Sequence, residues 1–284
     1  METTERSFDT NVQLLKYKVI KGVVEHFDKG TLESAYRDIP LAIAPGPKPT
    51  MRCCVYKERA IITERVRMAM GGDHENPNAI EVIRIACDEC TVNRYHVGSA
   101  CRGCIAHRCE HACPTGAISV HDGKAHIDQE KCVECGRCAT ACPYSAIMKY
   151  TRPCENACKI KAISMHRDNS AKIDNDKCIA CGACVYQCPF GAIVDKSFVL
   201  DALTMMRDSE NNAKYRVYAV VAPSISSQFS YAKTGQVVTG LKKLGFHSVV
   251  EAALGADMVA YDEAAELAEK GFLTSSCCPA FVAY

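Results

Sequence analysis

Cys132, Cys135, Cys138 and Cys142, the last followed by Pro143, stand in the spacing C-x2-C-x2-C-x3-C-P, and Cys178, Cys181, Cys184 and Cys188-Pro189 repeat it. Three thiolates on one tight loop can face three corners of an iron–sulfur cubane, while a fourth, leaving on a helix, points to a neighbouring cluster. Gly136, Ala139, Gly182 and Ala183 are small enough to let backbone N–H groups approach the sulfurs and stabilise their negative charge. Zinc also takes C-x2-C pairs, but it needs only two and has no use for a third cysteine two residues on or for a closing Cys-Pro. The spacing therefore predicts [4Fe–4S] clusters. Cys101, Cys104, Cys109 and Cys113-Pro114 form a variant with two additional residues in the loop.

The cysteine-rich stretch repeats internally, which must be settled before any fold is assigned. Cys109-Glu110-His111-Ala112-Cys113 returns as Cys154-Glu155-Asn156-Ala157-Cys158, and Lys131-Cys132 through Pro143 returns as Lys177-Cys178 through Pro189. The offset is 45 residues before the loop at His121–Lys124 and 46 after it, so the second copy has gained one residue there. Asp122-Gly123 between two short strand-like runs predicts a hairpin, whose tip tolerates that insertion.

Sixteen of the 20 cysteines lie in residues 87–195, and the total is about three to four times ordinary usage. A disulfide scaffold would normally sit behind a signal peptide, whereas residues 1–20 mix acids and bases with no apolar core or cleavage site. The expected compartment is the cytoplasm, where closely spaced cysteines read as metal ligands. A net charge of +1 gives no field to recruit nucleic acid or a membrane surface, and no apolar run is long enough to span a bilayer. Neither partner is expected.

The elements that must position these ligands fall in separate zones. Residues 1–95 form a helical region: Val12, Leu15, Val19, Val23 and Phe27 mark one helix over Asn11–Asp28, a Pro-rich run from Pro40 to Pro49 predicts a stiff extended connector, and Ile61, Ile62, Val66 and Met70 mark a further helix stopped by Gly71-Gly72. Cys53-Cys54 has no ligand spacing and reads as a pair of buried structural thiols. Residues 96–195 carry the tandem cluster repeats. Residues 215–284 change to βαβαβ: strands at Tyr215–Val221, Phe246–Val250 and Phe272–Thr274, and helices at Gln228–Leu244 and Asp257–Lys270, each ended by glycine. That order predicts a parallel sheet, incomplete as it stands. The fold class expected is α+β, with ferredoxin-like repeats between a helical N-terminal region and this partial α/β lobe.

Cys101–Cys113 paired with Cys132–Cys142 resembles a two-cluster bacterial ferredoxin. Its crossed ligation, carried over, gives one cluster to Cys101, Cys104, Cys109 and Cys142 and another to Cys132, Cys135, Cys138 and Cys113. The second copy supplies a third from Cys178, Cys181, Cys184 and Cys158. Cys154 and Cys188 are then the repeat equivalents of Cys109 and Cys142, and Cys87-Asp88-Glu89-Cys90 is the unused C-x2-C pair nearby. A fourth cluster on Cys87, Cys90, Cys154 and Cys188 divides the sixteen cysteines into four sets; the alternative is a decayed site with a separate Cys87/Cys90 pair. His96, His107 and His111 are expected to be solvated or hydrogen-bonding, since cysteines already close every cluster.

Ser275-Ser276-Cys277-Cys278-Pro279-Ala280-Phe281 resembles the TSCCPGW motif of [FeFe]-hydrogenases, with Ser275, Ala280 and Phe281 as departures. Val221-Ala222-Pro223-Ser224 and the steps Leu244-Gly245-Phe246, Gly255-Ala256-Asp257 and Glu263–Leu267 follow in that family's order, so the resemblance spans roughly residues 96–284. It implies reversible proton reduction at a two-iron site joined to a cubane, with Cys278 a cubane ligand and Cys277 the thiol that delivers protons. The family's remaining two motifs have no counterpart in these residues. The chain is thus expected to be the front part of a longer hydrogenase, inactive alone, with the two-iron site present only in a full-length form. Its expected partner is a ferredoxin or another electron-carrier protein. A free-standing polyferredoxin and a non-catalytic iron–sulfur scaffold are the other readings.

Overall fold

The computed structural model describes residues 8–88, 90, 94–229, 231–276, 278 and 281–282. The chain divides into two compact units, Met1–Glu81 with Asp195–Tyr284, and Val82–Val194.

The N-terminal helices are amphipathic. Helix α1 (Asn11–Asp28) buries Leu15, Val19 and Val23, and the Thr10 side chain caps it by accepting the Gln13 N–H at 3.2 Å. Helix α2 (Leu32–Ile43) continues through Pro40, so the expected connector is helical in its first part. Pro40 has no N–H for Tyr36 O; Ile39 and Pro40 are buried, and that packing holds the turn. Helix α3 (Val55–Ala69) stops where Gly71 and Gly72 take φ of 112° and 69°. The core packs Leu15, Val19, Val23, Ala35, Ile39, Ala44, Ile62, Val66 and Ala69.

Cys53 and Cys54 are not the buried pair expected. Cys53 is exposed and Cys54 half-buried. Cys54 is the N-cap of α3, its Sγ accepting the Lys57 N–H at 3.4 Å. An unpaired N–H at a surface helix start needs an acceptor, and the thiol provides one.

The second unit holds the cysteine repeats. Strand β1 (Ile80–Val82) precedes a single 3-10 turn, Arg84–Ala86, that leads to Cys87. The first copy then runs β2 (Tyr95–Val97), α4 (Arg108–His111), β3 (Ile118–His121), β4 (Lys124–Ile127), α5 (Arg137–Ala141) and β5 (Ile147–Lys149), with β2 antiparallel to β5 and β3 antiparallel to β4. The second copy runs α6 (Pro153–Ala157), β6 (Ile163–Met165), β7 (Ala171–Ile173), α7 (Ala183–Gln187) and β8 (Ile193–Asp195), with β6 antiparallel to β7. Its opening segment comes from ahead of the first copy: Ile83 N–H donates to Ala192 O at 2.7 Å, as Gly98 N–H donates to Ala146 O at 2.7 Å. The first module is therefore inserted within the second.

Helix α8 (Val199–Asp208) belongs to the first unit, with Leu200 on the N-terminal core and the Arg207 guanidinium 4.6 Å from the Phe27 ring centroid. Beyond it come β9 (Tyr218–Val221), α9 (Ile225–Gln228), α10 (Thr234–Leu244), β10 (Ser248–Glu251) and α11 (Ala252–Lys270). Strands β9 and β10 pair in parallel, Ser248 opposite Tyr218. Gly245 and Gly271 end their helices in the left-handed region. The helix expected from Gln228 begins only at Thr234, where the Gln236 side chain accepts the Lys233 N–H at 2.9 Å; Gln228 is instead the last residue of α9. Phe272–Thr274 is not a strand: it has no ladder partner among the described residues, and Phe272 lies out in solvent. No helix of the described residues is long and apolar enough to cross a membrane.

Candidate metal centres

The cysteine loops are turned tightly by residues of positive φ. Glu134 and Ala180 take positive φ, and Gly136 and Gly182 follow in the left-handed region as the N-caps of α5 and α7. A Cβ on Gly136 would stand 2.5 Å from the Tyr95 hydroxyl, so the C-G-x-C step requires glycine there on both counts. Gly103 is equally constrained, because a Cβ there would collide with the backbone of Gly123 at the hairpin tip.

Cys101, Cys104, Cys109 and Cys142 line one pocket, and Cys113, Cys132, Cys135 and Cys138 line another. Each set takes three cysteines from one loop and one from the other. In the second copy Cys184 faces Cys178 and Cys181, while Cys154 faces Cys188 and Cys87. Cys90 is half-buried, three residues from Cys87. Cys278 is exposed, its N–H donating to Ser276 Oγ at 3.2 Å; Cys277 lies outside the described residues.

Backbone donors recur at the sulfurs. The last cysteine of each cluster loop accepts an N–H from the residue four positions on: Ala117 to Cys113 at 3.2 Å, Ala146 to Cys142 at 3.4 Å, Ala162 to Cys158 at 3.2 Å and Ala192 to Cys188 at 3.2 Å. The hairpins add a second kind. Ala125 N–H donates to Cys101 Sγ at 3.3 Å, and Ala171 N–H, at the equivalent place in the second copy, donates to Cys87 Sγ at 3.3 Å. Such donors stabilise thiolate charge and suit sulfur that is to bind iron.

The thiols divide by environment. Burial pushes up those carried on the short helices: Cys109 and Cys138 are raised, Cys184 is pushed up to about 11 and Cys154 to about 12, neighbouring cysteines adding to the effect. Burial acts against ionisation at Cys101 and Cys113 too, but it is outweighed, at Cys101 by the Ala125 and Gly103 N–H groups and the Lys124 charge, and at Cys113 by Thr115 and Ala117. A thiol raised to about 12 is protonated at neutral pH, so metal binding there must release a proton and supply the compensating positive charge. Among the described residues no group of three or more His, Cys, Asp or Glu side chains is arranged to hold a single metal ion. The four-thiol cavities suit a wider, multi-iron group.

The histidines are occupied otherwise: His107 Nδ1 lies 2.7 Å from Glu110 Oε2, His96 packs edge-on to Tyr150, and His111 is exposed. Sequence reasoning missed Arg152, which is 2% exposed with Nη1 3.8 Å from Cys87 Sγ. Its one visible signal is its place just before Pro153 and Cys154, where the first copy has His107 ahead of Arg108 and Cys109.

Comparison with known proteins bears on these centres. A 4Fe-4S dicluster domain model matches residues 100–146, a 4Fe-4S binding domain model matches 171–194, and the C-terminal domain model of the iron only hydrogenase large subunit matches 215–284. The chain is 44% identical over 55 residues to the electron transport protein HydN of Escherichia coli, covering 19% of this chain and 31% of HydN. It is 53% identical over 47 residues to one component of an ion-translocating oxidoreductase complex from Methanosarcina acetivorans, 16% of this chain and 17% of that protein. It is 35% identical over 79 residues to an uncharacterized ferredoxin of Methanocaldococcus jannaschii, 22% of this chain and 52% of that one. The chain thus spans less than a third of HydN. It is an iron–sulfur protein in which ferredoxin-like [4Fe–4S] electron-transfer domains precede a segment like the C-terminal domain of the iron-only hydrogenase large subunit.

Proposed function

We propose that this chain is the electron-transfer part of an [FeFe]-hydrogenase, carrying four [4Fe–4S] clusters on sixteen cysteines. The sets are Cys101, Cys104, Cys109 and Cys142; Cys132, Cys135, Cys138 and Cys113; Cys178, Cys181, Cys184 and Cys158; and Cys87, Cys90, Cys154 and Cys188. Residues 215–284 form the hydrogenase-like lobe, with Cys278 as a cubane ligand and Cys277 as a proton-delivering thiol. The clusters, when bound, supply one-electron chemistry at low potential. The protein's own contribution is to bury six of the thiols and half-bury eight more, aim N–H groups at them and space the four sets along one unit.

The observation that carries the four-cluster reading is the matched pair of N–H donors, Ala125 to Cys101 and Ala171 to Cys87, each at 3.3 Å. Cys87 stands in the second module where Cys101 stands in the first. Anaerobic reconstitution tests the reading. We expect about sixteen irons and sixteen sulfides per chain, and uptake of about four electrons from excess dithionite, one per cluster. About twelve irons would reduce the reading to three clusters, and eight or fewer would overturn it.

A further inference from the structure

The two cavities of the first module differ at their mouths. The Cys113/Cys132/Cys135/Cys138 cavity is lined by Glu134, whose carboxylate is ion-paired with Lys149 at 3.3 Å. No acidic residue among those described lines the Cys101/Cys104/Cys109/Cys142 cavity; Arg102 and His107 line it, and Lys124 acts on the Cys101 thiol from the hairpin. Ile105 and Ala106, in the lengthened loop between Cys104 and Cys109, are both exposed, and Ile105 is 98% exposed. Arg102, Arg108 and Lys124 are exposed around them. Of the acids in this segment, Glu110 lies 2.7 Å from His107 Nδ1 and Asp122 lies 3.0 Å from His121 Nδ1.

A wholly solvated isoleucine contributes nothing to this fold. An apolar tip framed by positive charge beside a redox centre has the composition of an interface core and rim, in which the apolar part desolvates and the charges steer. We propose that this face is the docking port for an acidic one-electron carrier protein, and that the Cys101/Cys104/Cys109/Cys142 site is where electrons enter or leave the chain. In each encounter the reduced carrier loses one electron and this chain gains it, with no proton or bond exchanged. The inference rests on that site holding a [4Fe–4S] cluster.

The test uses the reconstituted full chain and a reduced acidic ferredoxin of low potential, with cluster bleaching followed by stopped flow. Arg108→Glu should lower the second-order rate severalfold at low salt and flatten its dependence on ionic strength. Ile105→Ser should slow it as well, with little change in the salt slope. Reduction by dithionite should be unchanged in every variant, and bound iron should equal that of the parent. Unchanged carrier rates in variants with full iron would overturn the port. Loss of the four irons of this site in Cys101→Ser/Cys104→Ser is the separate check on the cluster, so failure there rejects the ligand set rather than the docking face.

Discussion

The backbone N–H of Ala171 donates to the sulfur of Cys87, 84 residues earlier in the chain, at 3.3 Å. The contact has the length of the Ala125–Cys101 bond in the first module. It places Cys87 next to a hairpin that the first module lies between, and the buried Cys154 and Cys188 stand near it. Replacing Cys87 and Cys90 together by Ser should therefore lower bound iron by about four per chain and leave the other three sites loaded. Iron analysis with EPR spin counting checks this; unchanged iron would reject the set.

Arg152 gives that site a property of its own. Its guanidinium is 2% exposed beside Cys87 Sγ, and a buried cation favours the more negative, reduced state of a neighbouring cluster. Arg152→Gln should shift one of the four potentials downward, on the order of tens of millivolts, and leave the others in place. Arg152→Lys should recover much of the shift. Potentiometry followed by EPR on the full chain reads this, and four unmoved potentials with full iron would contradict it.

How much of this was legible in the sequence varies with the range of the interaction. Local periodicity located α1 and α3, and Asp122-Gly123 located the β3–β4 hairpin, because each is decided within a few residues. The pairing of Cys142 with the Cys101 loop was accessible only through resemblance, since spacing says nothing about which loops face each other. Pro40 misled because the burial of Ile39 and Pro40 in the helical core, a tertiary effect, carries the helix through it. Cys54 misled because a thiol at a helix N-cap has no composition signal distinct from a core thiol. Arg152 had only its place in the repeat to mark it, since nothing in an Arg-Pro-Cys step says that its guanidinium is buried.

Glu58 gives the N-terminal unit a pH dependence. Its side chain is buried, and burial alone would push its carboxyl up, but the backbone N–H groups of Met51, Arg52 and Thr50 outweigh this and hold it below the ordinary value of 4.5. A folded-state value below the unfolded one means stability that is complete above about pH 4.5 and is lost as pH falls through the folded value. Glu58→Gln should destabilise the helices by about 1–3 kcal/mol at neutral pH and flatten the loss on acidification. Urea unfolding between pH 3 and 7, read by far-UV circular dichroism, is the measurement. A variant equal to the parent at neutral pH would show that the three N–H groups find water instead.

The helical core should survive a loss of metal that the first cluster module does not. The helical core of α1–α3 is aliphatic throughout, from Leu15 to Ala69. The buried cluster at the centre of the first module is Cys109, Ile118, Ala125, Cys138 and Ile147, with Tyr95, Val97, Val120 and Ile127 half-buried against it, so two of those five buried members are cluster ligands in our reading. With so little apolar surface beyond the ligands, the binding free energy of iron and sulfide supplies much of that module's stability. Oxidative removal of the clusters in the presence of a chelator should therefore strip hydrogen-exchange protection from Ile118–Ile127 and Ile147–Lys149 while leaving Val19, Val23, Ile62 and Val66 protected. Hydrogen-exchange mass spectrometry before and after removal distinguishes the cases. Protection that survives over Ile118–Ile127, or that falls equally in both units, would mean the module folds on its apolar contacts alone.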